Sequence, residues 1–403
     1  MRIQTKTGST FGATLFIIGT CVGIGIIGIP LASGVSGFIP ALLMNLLIGL
    51  SMMATALLYA EVILALPDGT NLLSATEQTI GPLIRFIVGF CLIFLYISFF
   101  TSYFYEAGTM ISEFFKENFE INIPIYLAIA LTALFFGFFV FMGFWFSSRL
   151  IFILIGGLIL SYLFLIISGS GKLKEDFLLR QNLVLIAFSA PLIFVTYAFG
   201  IVIPSLVTYV QRNAKKILIA IVIGVSLPLL LACIWQGLII GVLPEETLWE
   251  AYESGDPLSE SFLLIKKIPW LKKAATFFAF FSIVSSLLGS SLGIVDFFFD
   301  GFSIPLAKRV GKKRAAILLL VYIPACLFAI INPEIFLNIL QYGAGLGEAI
   351  INGILPIWLA WIIRYRQKIS STRLLFGGKP LLLTLFFFII FIIYLQGLEG
   401  VRQ

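Results

Sequence analysis

The sequence predicts an all-α polytopic membrane protein that crosses the bilayer eleven times. Composition is the first indication: of the 403 residues, 60% are apolar and 11% are charged, whereas soluble domains carry about a quarter charged residues. So few charges cannot cover a surface that faces water, which excludes a soluble enzyme, a nucleic-acid-binding domain and a disordered regulator. The other two indications are the length of the apolar runs and the interruption of two of them by glycine and proline.

Eleven apolar runs are long enough to be spans. A helix needs about 20 mostly apolar residues to cross a hydrocarbon layer ~30 Å thick. None of the runs alternates between polar and apolar residues as a barrel strand would, so all are predicted to be helices. The predicted spans lie near residues 9–31, 38–66, 83–112, 123–146, 149–168, 183–210, 216–243, 273–299, 314–331, 334–362 and 380–397.

Basic residues in the connections predict the orientation of the spans. Counting spans from the N-terminus places 17 of the 26 lysines and arginines on the side of the N-terminus. The other nine lie on the opposite side with most of the acidic residues. Since cytoplasmic connections are enriched in basic residues, the N-terminus is predicted to be cytoplasmic. An odd number of spans then places the C-terminus outside.

Glycine and proline interrupt the first and the sixth span. Residues Gly19–Pro30 contain four glycines and a proline, and residues Thr196–Ser205 contain Gly200 and Pro204. Glycine weakens a helix by about 1 kcal/mol and an interior proline by about 3 kcal/mol. Within the bilayer such breaks persist where the freed backbone groups are buried in protein or line a cavity. The alternative is that the glycines form GxxxG-type surfaces for close helix packing.

The two interrupted spans are five apart, which predicts a 5+5 inverted repeat. The first repeat covers residues 1–182 with spans 1–5, and the second covers residues 183–372 with spans 6–10. Residues 373–403 hold span 11 and the C-terminus. A repeat with an odd number of spans inverts its second copy and puts broken helices 1 and 6 in corresponding places. Secondary transporters build a binding site at the bilayer midplane in this way.

The residues of the two breaks are the predicted binding residues. Helix N-termini that a break exposes favour an anionic group such as the carboxylate of an amino acid. We expect the backbone of the glycines and of Ile201 to hold the carboxylate and ammonium groups. The two aromatic rings in the second break would stack on the side chain of the cargo, although packing within span 6 explains them equally well. The predicted set is Thr20, Gly23, Gly25, Tyr197, Phe199, Gly200 and Ile201.

Two carboxylates within spans, Glu348 and Asp296, are the predicted carriers of a coupling proton. An ionisable group at bilayer depth costs at least ~2.5 kcal/mol and therefore indicates function. Glu348 lies in the middle of span 10 after a stretch of small residues, and no lysine or arginine lies at a span centre to pair with it. Burial disfavours its charged form, so it is suited to bind and release a proton. Asp296 and Glu61 lie towards the cytoplasmic ends of spans 8 and 2, where a structural pair is the alternative.

Span 8 also contains four serines, Ser285, Ser286, Ser290 and Ser291. Hydroxyl groups at this density can coordinate sodium with backbone carbonyls, but they more often bond to the carbonyl four residues earlier in the helix. Residues Gly289–Gly293 match the G-x-S-x-G pattern of serine hydrolases. A serine nucleophile needs a base, and the chain contains no histidine. We therefore expect neither an enzyme nor a haem or zinc site that uses histidine.

Six segments spread along essentially the whole chain are typical of one family: Gly19–Pro30, Tyr59–Val62, Pro204–Tyr209, Ser286–Asp296, Gln341–Gly345 and Gly377–Pro380. Together they resemble the bacterial hydroxy and aromatic amino acid permeases, which include tyrosine- and tryptophan-specific permeases. The resemblance implies a LeuT-like, APC-type fold with eleven spans in the bacterial inner membrane. It also implies proton-driven import of an aromatic amino acid by alternating access, with tyrosine as the first choice.

One residue departs from the family pattern. Members of this kind typically carry histidine in the break of span 6, at the position held here by Gly200. Any role of that imidazole is therefore absent, which gives Glu348 and Asp296 more weight as proton carriers. The expected partners are the amino acid, a coupling proton and membrane lipid, without nucleic acid or cofactor. The alternatives are tryptophan or serine as cargo, sodium as coupling ion, and a channel instead of a transporter.

Overall fold

The computed structural model describes residues 8–253, 269–333, 344–369 and 372–400. These residues form helices and their connections, with no β-strand among them, which confirms the predicted all-α fold class. Span 1 consists of two helices bent by 50°, and counting them as one gives eleven spans. The spans are Thr10–Cys21 (1a) with Ile24–Gly34 (1b), Phe38–Ala65 (2), Pro82–Phe119 (3), Ile125–Met142 (4), Phe144–Ser170 (5), Ala190–Thr196 (6a) with Ile203–Tyr209 (6b), Ala214–Val242 (7), Pro269–Gly301 (8), Lys312–Ile331 (9), Gly345–Arg366 (10) and Gly378–Gly400 (11).

Some predicted boundaries differ from the structure. Span 4 ends at Met142 instead of residue 146, because Gly143 has a φ of +92° and interrupts the helix just before span 5 begins. Span 3 continues to Phe119 instead of residue 112, since polar residues extend its helix beyond the apolar run. The predicted start of span 10, near residue 334, lies outside the described residues. Shorter helices in the connections are Leu72–Thr79, Glu175–Leu178 and Glu245–Glu253, and Leu183–Ser189 forms a 3-10 helix before span 6a.

Spans 6 and 8 form the centre of the bundle. In their most apolar segments, 83% and 89% of the residues are buried, compared with 22% in span 11. The outer spans instead expose large apolar side chains such as Phe90, Leu134 and Leu160. An exposed apolar belt suits a surface that faces lipid, whereas the enclosed broken span 6 meets the requirement that irregular backbone be buried in protein.

Arginines near the ends of the spans hold the helix ends together on both sides of the bundle. At the end that holds Gly8, the guanidinium group of Arg212 donates to the carbonyl oxygens of Leu64 and Leu66 at 2.8 and 2.7 Å. At the opposite end, Arg180 donates to the carbonyl oxygens at the end of span 7, Ile240 at 2.9 Å and Leu243 at 3.1 Å. These bonds satisfy carbonyl groups that a helix end leaves without an intrahelical donor.

Candidate functional site

Span 1 is broken at the glycine-rich segment that the sequence singled out. Helix 1a ends at Cys21, and Val22 (ψ 73°) and Gly23 (ψ −163°) leave the helical conformation before helix 1b begins. A side chain at position 23 would begin 2.7 Å from the hydroxyl oxygen of Ser286, so that serine would have to move. The segment is therefore a true interruption of the helix, as well as a surface of close packing.

Serines of span 8 satisfy the carbonyl groups that the break of span 1 frees. The hydroxyl of Ser282 donates to the carbonyl oxygens of Val22 at 2.8 Å and Gly23 at 2.9 Å. The hydroxyl of Ser286 likewise lies 3.1 and 3.0 Å from the carbonyl oxygens of Gly19 and Thr20. Two of the other serines bond within their own helix, as the simpler interpretation predicts: Ser285 to Ser282 at 3.0 Å and Ser291 to Leu287 at 2.6 Å.

Span 6 is broken at the corresponding place. Helix 6a ends at Thr196, and a 3-10 turn over Gly200–Val202 leads into helix 6b. Tyr197 in this break is fully buried, and its hydroxyl donates to the side-chain oxygen of Asn45 in span 2 at 2.9 Å. Asn45 donates in turn to Gln236 of span 7 at 3.0 Å. This buried chain of hydrogen bonds fixes the break of span 6 to the surrounding helices.

A small central cavity lies where the two breaks meet. The breaks are in direct contact, because Gly25 leaves no room for a side chain beside the Thr196 hydroxyl. Of the predicted binding residues, Thr20, Gly23 and Gly25 line this cavity, and Thr196 and Ala198 line it from span 6. The structure therefore brings together the backbone of both breaks.

The aromatic residues of the second break face a different, neighbouring cavity. Tyr197, Phe199 and Gly200 line a second small cavity together with residues of spans 2 and 10. Ile201 is buried and lines neither cavity; its backbone oxygen lies against Gly293 of span 8. The predicted set is thus divided between two adjoining cavities.

Span 3 provides the aromatic wall of the central cavity, which the sequence reasoning missed. The rings of Tyr96 and Phe99 meet edge to face at 5.6 Å between centroids, and those of Phe99 and Tyr103 stack at 6.2 Å. These residues lie on one face of the helix, since residues three or four apart along it are neighbours. Ser98, Thr101 and Ser102 lie between these aromatic residues. Such a group of polar residues is unusual in an apolar span and was the feature of the sequence that could have indicated a cavity beside span 3.

Glu348 is fully buried in span 10, and its two carboxyl oxygens differ in their hydrogen bonding. Its Oε2 atom accepts a hydrogen bond from the side-chain nitrogen of Asn352. Its Oε1 atom has no hydrogen-bond partner within the described ranges. Asn352 in turn lies against Gly200, where its amide occupies the space that a side chain at position 200 would need. A single amide therefore connects the buried carboxyl group to the break of span 6.

Asp296 and Glu61, the other two carboxylates considered from the sequence, have partners. Asp296 is partly buried, and its carboxylate accepts a hydrogen bond from Ser205 of span 6b at 2.5 Å. Glu61 forms a two-bonded ion pair with Arg364, at 2.7 Å for each bond, and also accepts from the backbone nitrogen of Leu374 at 3.1 Å. The structural pair considered for Glu61 is thus present, with a partner from the end of span 10.

We expect Glu61→Gln to lower the free energy of unfolding by about 3 kcal/mol, because it leaves the buried charge of Arg364 without its partner. Thermal unfolding of the purified protein in detergent measures the effect. Asp68→Asn is the matched control, since Asp68 lies 3.8 Å from Arg212 with an exposed side chain and should contribute less than about 1 kcal/mol. Equal unfolding temperatures for the two variants would contradict the prediction.

Comparison with known proteins agrees with this architecture. The chain resembles a manganese transporter of Eremococcus coleocola in structure, with a TM-score of 0.69 at 14% sequence identity, over 97% of this chain and 86% of the other. At this identity the similarity establishes the fold alone, a LeuT-like transporter fold. In sequence it is 26% identical over 380 residues to tyrosine-specific transport system 1 of Haemophilus influenzae, covering 92% of both chains. It is 25% identical to the low affinity tryptophan permease of Escherichia coli K12, over 94% of this chain and 92% of the permease.

Family membership follows from the length of the match. Residues 6–396 match the sequence profile of the tryptophan/tyrosine permease family, which is nearly the whole chain. The family consists of transport proteins, and the helices described above make this one a multi-pass membrane protein. The resemblance inferred from six short segments is thereby confirmed: the chain belongs to the tryptophan/tyrosine permease family.

Proposed function

We propose that this protein imports an aromatic amino acid, tyrosine in the first place, across the bacterial cytoplasmic membrane in symport with a proton. The N-terminus would lie in the cytoplasm and the C-terminus outside, as the basic residues of the connections predict. The observation that supports the proposal most directly is the central cavity, in which both helix breaks meet three aromatic rings of span 3. Such rings favour an aromatic cargo. The relatives named for tyrosine and tryptophan transport support the same class of cargo.

The ends of the broken helices suit both charged groups of an amino acid. The N-terminus of span 1b reaches the cavity at Gly25, and helix N-termini favour carboxylates. The C-terminal ends of spans 1a and 6a reach the same cavity at Cys21 and Thr196, and helix C-termini favour cations such as the ammonium group. Gly23 and Gly25, with Thr20 beside them, remain our proposed contacts for these groups. The aromatic residues of the second break would act from the neighbouring cavity.

We assign the coupling proton to Glu348 in preference to Asp296. Among the described residues, Glu348 forms no ion pair, and its hydrogen-bond partner is the amide of Asn352. Its free carboxyl oxygen can therefore bind and release a proton without breaking an ion pair. Asp296 is only partly buried, whereas Glu348 is fully buried and connects through Asn352 to the break of span 6.

The hydroxyl and carbonyl oxygens at the break of span 1 support sodium as the alternative coupling ion. A sodium site built from this break would use carbonyl oxygens such as those of Gly19 and Val22. Both carbonyls here accept hydrogen bonds from the hydroxyl groups of Ser286 and Ser282. A hydroxyl group that rotates can bind sodium through its own oxygen beside these carbonyls, so sodium stays the alternative coupling ion that the gradient experiment tests.

Uptake into proteoliposomes tests the proposal. An inward proton gradient of one pH unit, with the membrane potential held at zero, should concentrate labelled tyrosine up to about tenfold, because one pH unit is a tenfold difference in proton activity. A sodium gradient alone should give no accumulation. Accumulation driven only by sodium would contradict proton coupling. Uptake that neither gradient drives, and that does not saturate with tyrosine concentration, would instead indicate a channel.

A further inference from the structure

Within the described part of the chain, one buried hydroxyl group of the central cavity has no hydrogen-bond partner. Among the described residues, four buried side-chain atoms lack a hydrogen bond, and they belong to Tyr96, Thr109, Arg180 and Glu348. Of these residues only Tyr96 lines the central cavity, and its side chain is 2% exposed. Buried hydroxyl groups are nearly always hydrogen-bonded in proteins, to protein groups, water or a ligand, so this one is available to a polar group of the cargo.

Along span 3, Tyr96 lies farther from the break of span 1 than Tyr103 does. The hydroxyl of Tyr103 lies beside that break, 3.6 Å from where a side chain on Gly23 would begin. Tyr96 is seven residues earlier in the same helix, about 10 Å away along its axis. At this end span 3 meets span 10, since a side chain on Gly347 would begin 3.6 Å from the Cδ atoms of Leu95.

An aromatic amino acid has its charged groups at one end and its ring at the other. If the charged groups lie at the helix breaks, as the proposed function requires, the ring extends along span 3 towards Tyr96. We infer that the hydroxyl of Tyr96 binds the polar atom at the far end of the cargo ring, the phenol group of tyrosine or the indole N–H of tryptophan. A hydroxyl group can donate to or accept from a phenol and can accept from an indole. Phenylalanine offers neither, and a site built for a polar group rejects the analogue that lacks it.

The test is selectivity in proteoliposomes. For the wild-type protein we expect kcat/KM for tyrosine to exceed that for phenylalanine by at least about tenfold. Tyr96→Phe should reduce this ratio by about tenfold, mainly through loss of tyrosine and tryptophan uptake. Tyr162→Phe is the matched control, because it also removes a buried tyrosine hydroxyl group. The hydroxyl group of Tyr162 lies outside the cavity and donates to the carbonyl oxygen of Leu231 at 2.7 Å. The control should leave the ratio unchanged.

Several outcomes would overturn the inference. If Tyr96→Phe lowers kcat/KM equally for tyrosine, tryptophan and phenylalanine, Tyr96 does not recognise the end of the ring. Wild-type protein that takes up phenylalanine as well as tyrosine would overturn the inference and leave the proposed function intact. If no aromatic amino acid is accumulated, the proposed function fails as well. If the variant does not fold, competition on wild-type protein decides: 4-aminophenylalanine, which keeps a polar atom at the ring end, must compete better than phenylalanine.

Discussion

Glu348→Gln is expected to abolish proton-driven accumulation of tyrosine while leaving exchange of labelled for unlabelled tyrosine intact. Glutamine has nearly the shape of a protonated glutamate, and its side-chain oxygen can still accept the hydrogen bond from Asn352. The packing of span 10 is thus preserved, but the residue can no longer release a proton. The roughly tenfold accumulation driven by one pH unit should fall to none. Accumulation and exchange, measured in the same proteoliposome preparation, separate coupling from cargo binding.

Asp296→Asn is the matched control for this prediction. It is the same change from carboxylate to amide, and the asparagine oxygen can still accept from Ser205. We expect proton-driven accumulation to persist in this variant. If instead Glu348→Gln accumulates tyrosine normally and Asp296→Asn does not, Asp296 carries the proton. If both variants accumulate tyrosine normally, neither residue is required for coupling.

The general architecture could be predicted from the sequence because the bilayer imposes simple rules. The length and apolarity of the runs predicted the helices. Glycine and proline within two of these runs predicted the breaks of spans 1 and 6. The predicted end of span 4 was wrong because a glycine within an apolar run does not show whether it ends a helix. Gly143 ends span 4 through a positive φ, yet Gly156 lies within the helix of span 5. Nothing in the two local sequences distinguishes these roles.

The candidate site could be predicted only in part, because a cavity is assembled from helices distant in sequence. Gly23 and Gly25 were predicted since the break itself places their backbone at the centre. Tyr96 was not, because its position depends on how span 3 packs against the breaks, and aromatic residues are too common in this chain to mark a pocket. Tyr197 was expected either to stack on the cargo or to pack within span 6. Its ring lines the second cavity, and its hydroxyl group donates a hydrogen bond to Asn45.

Gly200→Ala is expected to reduce the rate of proton-driven tyrosine uptake by up to about 100-fold. The added methyl group would overlap the side-chain amide of Asn352, and overpacking of a buried site costs about 1–3 kcal/mol. Either the amide leaves Glu348 or the 3-10 turn of span 6 moves away from span 10, and both disturb the proposed path from proton site to cargo site. Gly156→Ala is the control, because a methyl group there meets no atom within 4 Å. It should leave uptake unchanged.

Combining Gly200→Ala with Asn352→Ala distinguishes this mechanism from a general intolerance of position 200. The three atoms nearest to the added methyl group all belong to the Asn352 side chain, so shortening that side chain removes the overlap. Asn352→Ala alone should slow uptake, because Glu348 loses its hydrogen bond. In that background, adding Gly200→Ala should have little further effect, a strong non-additivity expected of residues in direct contact. If the double variant slows uptake by the product of the two single effects, Gly200 and Asn352 act independently. In that case the Asn352 amide does not connect the carboxyl group of Glu348 to span 6.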